Sequence, residues 1–341
     1  MSKYNNIIQH FKGKRLLVIG DVVLDQYIKG SVSRISPEAP VPIVLQEESF
    51  FTPGGAANVA NNLASLGAEV TLVSKIGDDI EGEILKRELF KRHIHTNGIF
   101  IDSGMHTIFK TRIIAQHQQI VRLDREKPGK PGLDIIKEKK ILPYLRRQMK
   151  KFHAVIISDY GKGLIDPMLL AQVHELVIDH KIPVVVDPKM EDFREYGQVS
   201  CITPNKKEAE TALKNISEET RKAFGIRSTK LDNKEDIEAN GNGLLNFLGI
   251  ESLLITLGEQ GMYLFEHNQR PFPIPTMARQ VFDVSGAGDT VISVFALCLA
   301  AGSDKSHAAK IANYAAGIVI GKMGAVAVEL NELKQAMGAG R

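Results

Sequence analysis

The sequence contains no tryptophan and only two cysteines, Cys201 and Cys298. Both cysteines lie in apolar stretches without the spacing of metal ligands, which predicts buried thiols in a reducing compartment rather than disulfides. The ten histidines show no ligand spacing either. The sequence therefore contains no pattern typical of a disulfide-stapled secreted domain or of a metal site built from cysteine and histidine.

Long hydrophobic runs and a strong charge of one sign are also missing. The longest apolar runs fall well short of the roughly 20 residues that span a bilayer, and no signal sequence precedes the amphipathic segment from Tyr4 to Phe11. The formal net charge is only +3 at pH 7, and the short basic clusters at 137–140 and 146–151 lie on a predicted helix, where a solvated face explains them. We therefore expect a soluble, cytoplasmic protein without a nucleic-acid or membrane partner.

What the chain does contain is a regular alternation of strand and helix patterns over 341 residues, enough for one large α/β domain or two smaller ones. Helices between most of the strands predict a mainly parallel sheet covered on both faces. Shorter alternating segments predict a second, smaller sheet. Continuous apolar runs typical of buried strands occur at 15–20, 69–74, 154–158, 183–187, 201–203 and 252–256, and the alternating segments at 25–30, 41–47, 107–115 and 118–123.

Four polar residues stand at or just beyond the carboxyl ends of these predicted strands, namely Asp159, Asp187, Asn205 and Thr256. Ligands of open α/β sheets bind at that edge, so we expect the functional site there. The polar stretch 215–242 has no clear period, and we interpret it as a surface excursion without an assigned function.

One stretch, Asp283 to Thr290 (DVSGAGDT), precedes an apolar, helix-compatible run from Val291 to Ala301. Small residues let backbone N–H groups converge, and at the start of a helix those groups and the helix dipole form an anion site. A carboxylate at Asp289 would be repelled by a resting phosphate, so it needs a role such as accepting a proton during phosphoryl transfer or helping to place a metal. The alternative is a glycine turn in which Asp289 is an ordinary residue of the first helical turn.

Five short segments in a fixed order resemble the signatures of the ribokinase-like (PfkB) carbohydrate kinases. These signatures are a glycine pair, a Gly-x-Asp-x-x-Gly segment, an Asn-x-x-Glu motif, a Thr-x-Gly-x-x-Gly nucleotide loop and the C-terminal Asp-x-Ser-Gly-Ala-Gly-Asp-Thr. Independent matches in one order are far more specific than any one of them alone. Here they are Gly54-Gly55-Ala56-Ala57-Asn58-Val59-Ala60, Gly77-Asp78-Asp79 with Gly82, Asn205-Lys206-Lys207-Glu208, Thr256-Leu257-Gly258-Glu259-Gln260-Gly261 and Asp283 to Thr290.

Within this family, longer stretches resemble the D-glycero-β-D-manno-heptose 7-phosphate kinases, and the resemblance covers nearly the whole chain except 215–242. In many organisms that kinase is fused to a nucleotidyltransferase with a His-x-Gly-His motif, which this sequence does not contain, so we expect a stand-alone kinase. The stretches are 20–27, 34–42, 110–115, Gln118-Gln119 with Arg122-Leu123-Asp124, and Ser158-Asp159-Tyr160-Gly161-Lys162-Gly163.

The resemblance implies a ribokinase-like three-layer α/β sandwich with a mainly parallel central sheet and a small β-sheet lid. We expect one kinase domain over residues 1–334, with the lid at about 24–50 and 99–125, followed by a tail at 335–341. Lids of this family commonly pair between subunits, and exposed sheet edges invite pairing. We therefore expect a homodimer.

For the sugar, the resemblance implies contacts from Asp21, Asp25, Gly54, Gly55 and Asn58, because carboxylates accept hydroxyl hydrogen bonds and glycines let the sugar approach the backbone. Taken alone, Asn58 is more typical of a helix turn and Asp25 of a strand-end cap.

A substrate that already carries a phosphate needs a cationic site, which Lys110, Arg112 and Arg122 on the predicted hairpin supply, arginine by a bidentate fork. The alternative is solvated strand edges on which these side chains prevent unwanted pairing. Asp159 and Lys162 complete the expected substrate contacts.

For the nucleotide, the resemblance implies that Asn205 and Glu208 organise Mg²⁺ mainly through water, as magnesium keeps several of its waters. The alternative is a capping turn at the start of a helix, and both roles are compatible. Thr256, Gly258 and Gly261 are expected under the nucleotide, with Asn313 and Gly317 as weaker candidates for the adenine pocket. Asp283 and Ser285 are candidates for a monovalent cation such as K⁺.

The implied reaction uses ATP to phosphorylate the C1 hydroxyl of the heptose 7-phosphate, a step of ADP-heptose and lipopolysaccharide core synthesis in Gram-negative bacteria. Asp289 is the expected general base, and the N–H groups of Gly286, Ala287 and Gly288 the expected anion hole. Two alternatives stay open. One is a PfkB kinase for an unphosphorylated sugar, and the other is a non-catalytic sugar or nucleotide sensor on the same fold.

Overall fold

The computed structural model describes residues 3–116, 118–126, 134–277, 281–322 and 324–338. The strands are β1 Arg15–Gly20, β2 Val22–Ile35, β3 Pro42–Gly55, β4 Glu69–Ile76, β5 His95–Ile101, β6 Ile108–Ala115, β7 Gln118–Arg125, β8 Ala154–Ser158, β9 Val184–Asp187, β10 Cys201–Ile202, β11 Ser252–Thr256, β12 Met262–Glu266 and β13 Phe272–Ile274. The α-helices are α1 Lys3–Gln9, α2 Ala56–Ser65, α3 Ile80–Lys91, α4 Leu142–Gln148, α5 Pro167–Ile178, α6 Lys206–Lys214, α7 Glu218–Ala223, α8 Lys234–Leu248, α9 Ala287–Ala300, α10 Lys305–Val319 and α11 Leu330–Gly338.

A nine-stranded sheet forms the centre of the molecule, in the order β13-β12-β11-β10-β9-β8-β1-β4-β5. Its strands are parallel from β11 to β5, whereas β12 and β13 are added antiparallel at one edge. Leu16 and Val18 of β1 pack into one buried cluster with α2, α9 and α10, and Leu17 and Ile19 pack into a second cluster on the other face. This alternation explains the continuous apolar run of the strand. The predicted three-layer sandwich with a mainly parallel sheet is confirmed.

A separate four-stranded sheet, here called the small sheet, has the order β3-β2-β6-β7. Strands β2 and β3 are 14 residues each, much longer than the predicted segments, and their pairing runs from Val22↔Gly55 to Ile35↔Pro42. The expected lid boundary at residue 99 is wrong, because residues 99–101 belong to β5 of the large sheet. The next strand of the small sheet, β6, begins only at Ile108.

The interpretation of 215–242 as a surface excursion is wrong. This stretch contains α7 and the first half of α8, and it buries the side chains of Ile226, Leu231 and Ile237 against the large sheet. Asn240 is fully buried, and its side-chain oxygen accepts the amide of Arg227 at 2.8 Å. These apolar residues escaped the sequence pattern because Ile226 and Leu231 lie in the connection between α7 and α8, where no helical period applies, and only Ile237 lies on a helix.

The predicted tail also begins too early. Helix α11 continues to Gly338, and Leu333 and Met337, four residues apart on one face, are buried. Residues 339–341 lie outside the described residues. In the part of the chain that the structure describes, no helix combines the length and hydrophobicity needed to cross a bilayer. Location in the cytoplasm stays a prediction.

Candidate active site

Two adjoining cavities, each of about 210 Å³, open where the carboxyl ends of the parallel strands meet the start of α9. The sheet-edge cleft is lined by residues that include Asp159, Asp187, Lys189, Asn205, Glu208 and Thr256. The small-sheet cleft is lined by residues that include Asp25, Tyr27, Gly54, Asn58, Lys110 and Arg112. Tyr160, Gly286 and Asp289 line both cavities and so form the wall between them.

The Asp289 carboxylate is buried in this wall, in the first turn of α9. Its Oδ2 accepts a hydrogen bond from Asn58 Nδ2 at 2.7 Å, and its Oδ1 accepts one from the Tyr160 hydroxyl at 2.5 Å. Burial raises the pKa of Asp289 above its ordinary value, and the two hydrogen bonds oppose that rise by favouring the charged form. Asp289 therefore has the setting of a carboxylate prepared to accept a proton.

The glycines before Asp289 have different requirements. Gly286 has a φ of +79°, and an added Cβ would lie 2.9 Å from Asn58 Nδ2, so this position needs glycine. A Cβ at Gly288 would meet no heavy atom within 4 Å. The Ala287 amide already donates to the Val284 carbonyl at 3.3 Å, which removes one of the three donors expected in the anion hole. Among the described residues, the amides of Gly286 and Gly288 have no hydrogen-bond acceptor.

The sheet-edge cleft is rich in carboxylates. Burial, and then the negative charges of Asp289, Glu208 and Asp159, raise the pKa of Asp187 well above its ordinary value. Lys189 is the cation among the lining residues, and its Nζ lies 3.7 Å from Glu208 Oε1. An excess of carboxyl groups with one nearby lysine suits a site that receives a cation together with its ligand, since a nearby cation favours the charged form of each carboxyl group.

Asn205 and Glu208 form a complete capping box at the start of α6. The Asn205 side chain accepts the Glu208 amide at 3.0 Å, and the Glu208 side chain accepts the Asn205 amide at 3.0 Å. Both residues also line the sheet-edge cleft. They therefore cap the helix and at the same time lie where a ligand contact was expected. In the described ranges, no group of three or more His, Cys, Asp or Glu side chains has the arrangement needed to hold a metal ion directly.

The small-sheet cleft contains two of the three predicted cations, Lys110 and Arg112. Arg112 pairs with the Asp25 carboxylate, and its guanidinium lies 5.4 Å from the centre of the Tyr27 ring. A Cβ at Gly54 would lie 2.2 Å from Asp25 Oδ2, so glycine is required for this close approach. Lys110 lies two residues before Arg112 on β6 and lines the same cavity.

Asp21 is placed differently from the expectation of a sugar contact. Its buried carboxylate accepts the backbone amides of Tyr160, Lys162 and Leu164 at 3.3, 3.0 and 3.2 Å. These bonds fix the loop after β8 and favour a structural role for Asp21. Likewise, the Lys162 Nζ pairs with Glu126 at 2.8 Å, and Asp159 lines the sheet-edge cleft rather than the small-sheet cleft.

Arg122 and Asn313 also lie outside the two cavities. Arg122 is exposed on β7, and its guanidinium binds Asp124 at 2.8 and 3.0 Å. Asn313 is buried on α10 and donates to the Pro275 carbonyl at 2.6 Å, while Gly317, one turn later, is partly buried. The side chains of Arg122 and Asn313 therefore bind other parts of the protein, and neither lines a cavity.

The remaining predicted positions lie in turns near the sheet edge. Gly258 and Gly261 have φ values of +60° and +84°, and a Cβ at Gly261 would lie 2.1 Å from the Ile274 carbonyl oxygen. The Asp283 carboxylate accepts the amides of Ser285 at 2.9 Å and Gly324 at 3.0 Å, and Ser285 lines the small-sheet cleft.

Two residues of the site, Tyr160 and Lys189, were missed as candidates, and Asp187 was expected at this sheet edge without an assigned role. Tyr160 lies inside the Ser158 to Gly163 stretch that carries the resemblance, and Asp187 ends a predicted strand, so both had a signal in the sequence. A larger cavity of about 790 Å³ opens at the opposite edge of the large sheet, where β9, β10 and β11 begin, and its described lining includes none of the predicted site residues.

Residues 14–331 match the pfkB family carbohydrate kinases. The chain belongs to this family. As a PfkB family member it is a sugar kinase, which confirms the resemblance read from the five segments.

Relatives of this PfkB kinase include the bifunctional protein HldE of Desulfatibacillum aliphaticivorans, 41% identical over 95% of this chain, and that of Citrifermentans bemidjiense, 43% identical over 96%. The chain spans 63 and 64% of the length of these two proteins. Among solved structures, Arabidopsis thaliana ribokinase complexed with ribose and ATP matches with a TM-score of 0.71 at 19% identity, over 95% of this chain and 99% of that one. Escherichia coli phosphofructokinase-2 in complex with potassium matches with a TM-score of 0.75 at 17% identity, over 96% and 100%. These two likenesses establish the fold.

Proposed function

We propose that this PfkB kinase transfers the γ-phosphoryl group of ATP to the C1 hydroxyl of D-glycero-β-D-manno-heptose 7-phosphate, in the synthesis of ADP-heptose for the lipopolysaccharide core. The observation that carries the proposal is the position of Asp289 in the wall between two cavities, one lined by cations and one by carboxylates. The resemblance to heptose 7-phosphate kinases over nearly the whole chain, and relatives named bifunctional protein HldE, support this substrate.

The small-sheet cleft is the proposed sugar site. Lys110 and Arg112 supply two positive charges there, which suits the phosphate at the far end of the substrate. The Asp25 carboxylate and the backbone at Gly54 and Gly55 face the same space and suit the sugar hydroxyls. This combination distinguishes a sugar phosphate from a plain sugar.

In the proposed reaction, the C1 oxygen attacks the γ-phosphorus in line while Asp289 takes its proton. The bond between the γ-phosphorus and the bridging oxygen breaks, and ADP leaves with those electrons. The amides of Gly286 and Gly288 and the start of the 14-residue helix α9 stabilise the charge on the transferred group. Lys189 in the sheet-edge cleft suits the phosphates of the nucleotide.

The sheet-edge cleft fits the magnesium ion that such a reaction uses. Its oxygen donors, among them the Asp187 and Glu208 carboxylates, are the ligands that Mg²⁺ prefers, and Mg²⁺ usually keeps several waters. We therefore propose that Asn205 and Glu208 hold the ion through water, where it supplies charge neutralisation for the phosphates. A monovalent cation at Asp283 and Ser285 stays a prediction.

Gly288→Ala is expected to lower kcat by roughly 10-fold without destabilising the fold. The added methyl meets no protein atom within 4 Å, so it extends into the space proposed for the phosphoryl group, where overpacking costs about 1–3 kcal/mol. Steady-state kinetics and thermal unfolding measure the two effects. Gly302→Ala is a matched control, because a Cβ there also meets nothing within 4 Å but the strain of φ +86° lowers stability alone. Unchanged turnover in Gly288→Ala would contradict the proposed anion site.

The proposed substrate is tested by coupled ADP release, with heptose 7-phosphate offered beside ribose, fructose and fructose 6-phosphate. A strong preference for the heptose phosphate is expected. Faster turnover of an unphosphorylated sugar would keep the kinase and overturn the heptose assignment. No ADP from any sugar, with ATP still bound, would favour a sensor on this fold.

We also propose a homodimer formed through the small sheet. Its apolar side chains Ile35, Leu45 and Leu123 are 61, 66 and 68% exposed, and Leu45 and Leu123 lie on the edge strands β3 and β7. Light scattering should give twice the chain mass for the wild type and a smaller mass for Leu123→Asp. Phe90→Asp, at an 80% exposed position on α3, should leave the dimer intact. A monomeric wild type would overturn the proposal.

A further inference from the structure

The hydrogen bond from Tyr160 to Asp289 joins two elements that are 129 residues apart in the sequence. Tyr160 lies in the loop between β8 and α5, and its side chain lines both cavities beside the carboxylate. Asn58 holds Oδ2 of Asp289 and Tyr160 holds Oδ1, so each oxygen of the carboxylate has its own donor. An ionised carboxylate has about four acceptor positions, so acceptor capacity remains on both oxygens for an incoming hydroxyl.

The loop that carries Tyr160 is held by two buried aspartates. Asp21 accepts the Tyr160 amide at 3.3 Å together with two further amides of the loop. Asp159 accepts the Gly161 amide at 2.8 Å through one oxygen and the Tyr196 hydroxyl at 2.7 Å through the other. The ring of Tyr160 also lies 3.6 Å from the position that a Cβ on Gly55 would occupy. Hydrogen bonds to the loop backbone and to the hydroxyl thus hold the phenol in place without a bound ligand.

The direction of proton donation in this pair is set by electrostatics. Burial, followed by the negative charges of Asp289 and Asp187, raises the pKa of Tyr160 well above its ordinary value. The phenol therefore keeps its proton at neutral pH and is the hydrogen-bond donor to the Asp289 carboxylate. A donor of this kind favours the charged form of Asp289.

We propose that Tyr160 is a positioning residue that orients the Asp289 carboxylate toward the acceptor hydroxyl. The inference rests on the proposed role of Asp289 as general base. It assigns Tyr160 a function through Asp289 rather than through contact with the sugar. A base held by two donors keeps one geometry between turnovers, and misplacement by about 1 Å is enough to lower a rate by about 10².

Other groups also act on the same carboxylate and must stay unchanged in a test. They surround Asp289 from every element that packs against the two cavities, namely Asp25 on β2, Asn58 on α2, Lys110 and Arg112 on β6, Asp159 after β8, Asp187 and Lys189 at the end of β9 and Glu208 on α6. Tyr160→Phe removes one hydroxyl and leaves all of these charges in place. Because the lost donor favoured the charged form, the pKa of Asp289 must rise in the variant.

In Tyr160→Phe we expect kcat to fall by about 10- to 100-fold, the range for a hydrogen bond to a charged group, with little change in KM for the sugar. The acidic limb of the kcat/KM profile should move to higher pH. Tyr144→Phe is the matched control, because it removes a half-buried phenol on α4 that lines neither cavity. It should leave both kcat and the acidic limb unchanged.

A readout that needs no turnover separates this inference from the proposed function. Carboxyl ¹³C NMR of the ligand-free protein, with the Asp289 signal identified by its loss in Asp289→Asn, should show the pKa of Asp289 higher in Tyr160→Phe than in the wild type. An unchanged pKa overturns the inference even if the kinase is active. A raised pKa in a protein that phosphorylates no sugar supports the pairing and overturns the proposed function.

One kinetic result would replace the inference by another role. If the phenol only occupied the place of the incoming hydroxyl, its removal would lower KM for the sugar and leave kcat unchanged. That outcome, or an acidic limb that moves equally in Tyr144→Phe, would overturn the positioning role. Thermal unfolding of both variants shows whether the comparison is made between folded proteins.

Discussion

Asp289→Asn is expected to lower kcat by at least about 10²-fold, because asparagine preserves the shape of the side chain but cannot accept the proton of the C1 hydroxyl. The substituted amide should be accommodated, since Asn58 Oδ1 is buried with no hydrogen-bond partner among the described residues, and a flip of the Asn58 amide turns this oxygen toward the new N–H. Coupled ADP release at saturating heptose 7-phosphate and ATP measures the effect. Retention of more than about a tenth of the wild-type kcat would contradict the role of Asp289 as general base.

The same substitution should not weaken the fold at neutral pH. Burial raises the folded-state pKa of Asp289, so its charged form is disfavoured, and wild-type stability declines as pH rises through that folded pKa. An asparagine at this position carries no charge, so the variant does not lose stability in this pH range. Stability equal to or above that of the wild type, together with lost activity, is the pattern of a residue retained for chemistry. Asp179→Asn, at an exposed position after α5, is the control and should change neither property.

The double variant Lys110→Ala/Arg112→Ala should lower kcat/KM for heptose 7-phosphate by about 10²- to 10⁴-fold, mainly through KM. Each side chain is proposed to make a charge-assisted bond to the distal phosphate, worth about 1.5–3 kcal/mol. Removal of Arg112 also leaves the Asp25 carboxylate without its partner, which adds repulsion toward the phosphate. Initial-rate kinetics over a range of sugar concentrations measure the loss.

Two comparisons define what this result means. Arg122→Ala, on the neighbouring strand and paired with Asp124, should leave KM nearly unchanged. With a sugar that lacks the distal phosphate, the double variant should lose much less than with the phosphorylated one. An equal loss with both sugars would show that Lys110 and Arg112 serve the architecture of the small sheet and do not select the phosphate.

The sequence predicted the large sheet well because burial imposes a plain pattern on it. Strands β1, β8 and β11 were placed with their full bounds, since each is a continuous apolar run in a parallel sheet. Strand β7 is exposed along its whole length, and the outer halves of β2 and β3 contain no buried residue, so no apolar pattern marked their true extent. The two antiparallel edge strands β12 and β13 were not predicted.

The candidate site was predicted where a local motif specifies it and was missed where the contact is long-range. Asp289, Gly286 and Gly288 could be identified from one stretch of sequence. The partners of Asp289 could not, because Asn58 and Tyr160 are 231 and 129 residues away in the chain. Asp21 could accept a hydrogen bond from a sugar hydroxyl, but its carboxylate instead accepts backbone amides of the loop after β8. The sequence could not show this because the loop lies about 140 residues away in the chain.

The attachment of the small sheet to the large one has a mechanical consequence. A single residue, Asp21, separates β1 from β2, and β3 passes into α2 at Gly55 without a connecting loop. These two crossing points are themselves joined, because the Ala56 amide donates to the Asp21 carbonyl at 3.0 Å. Beside this joint lie Asp21, which anchors the Tyr160 loop, and Asn58, two residues after Ala56. We expect a tilt of the small sheet at this joint to displace Asn58 and Tyr160, the two hydrogen-bond donors of Asp289, together.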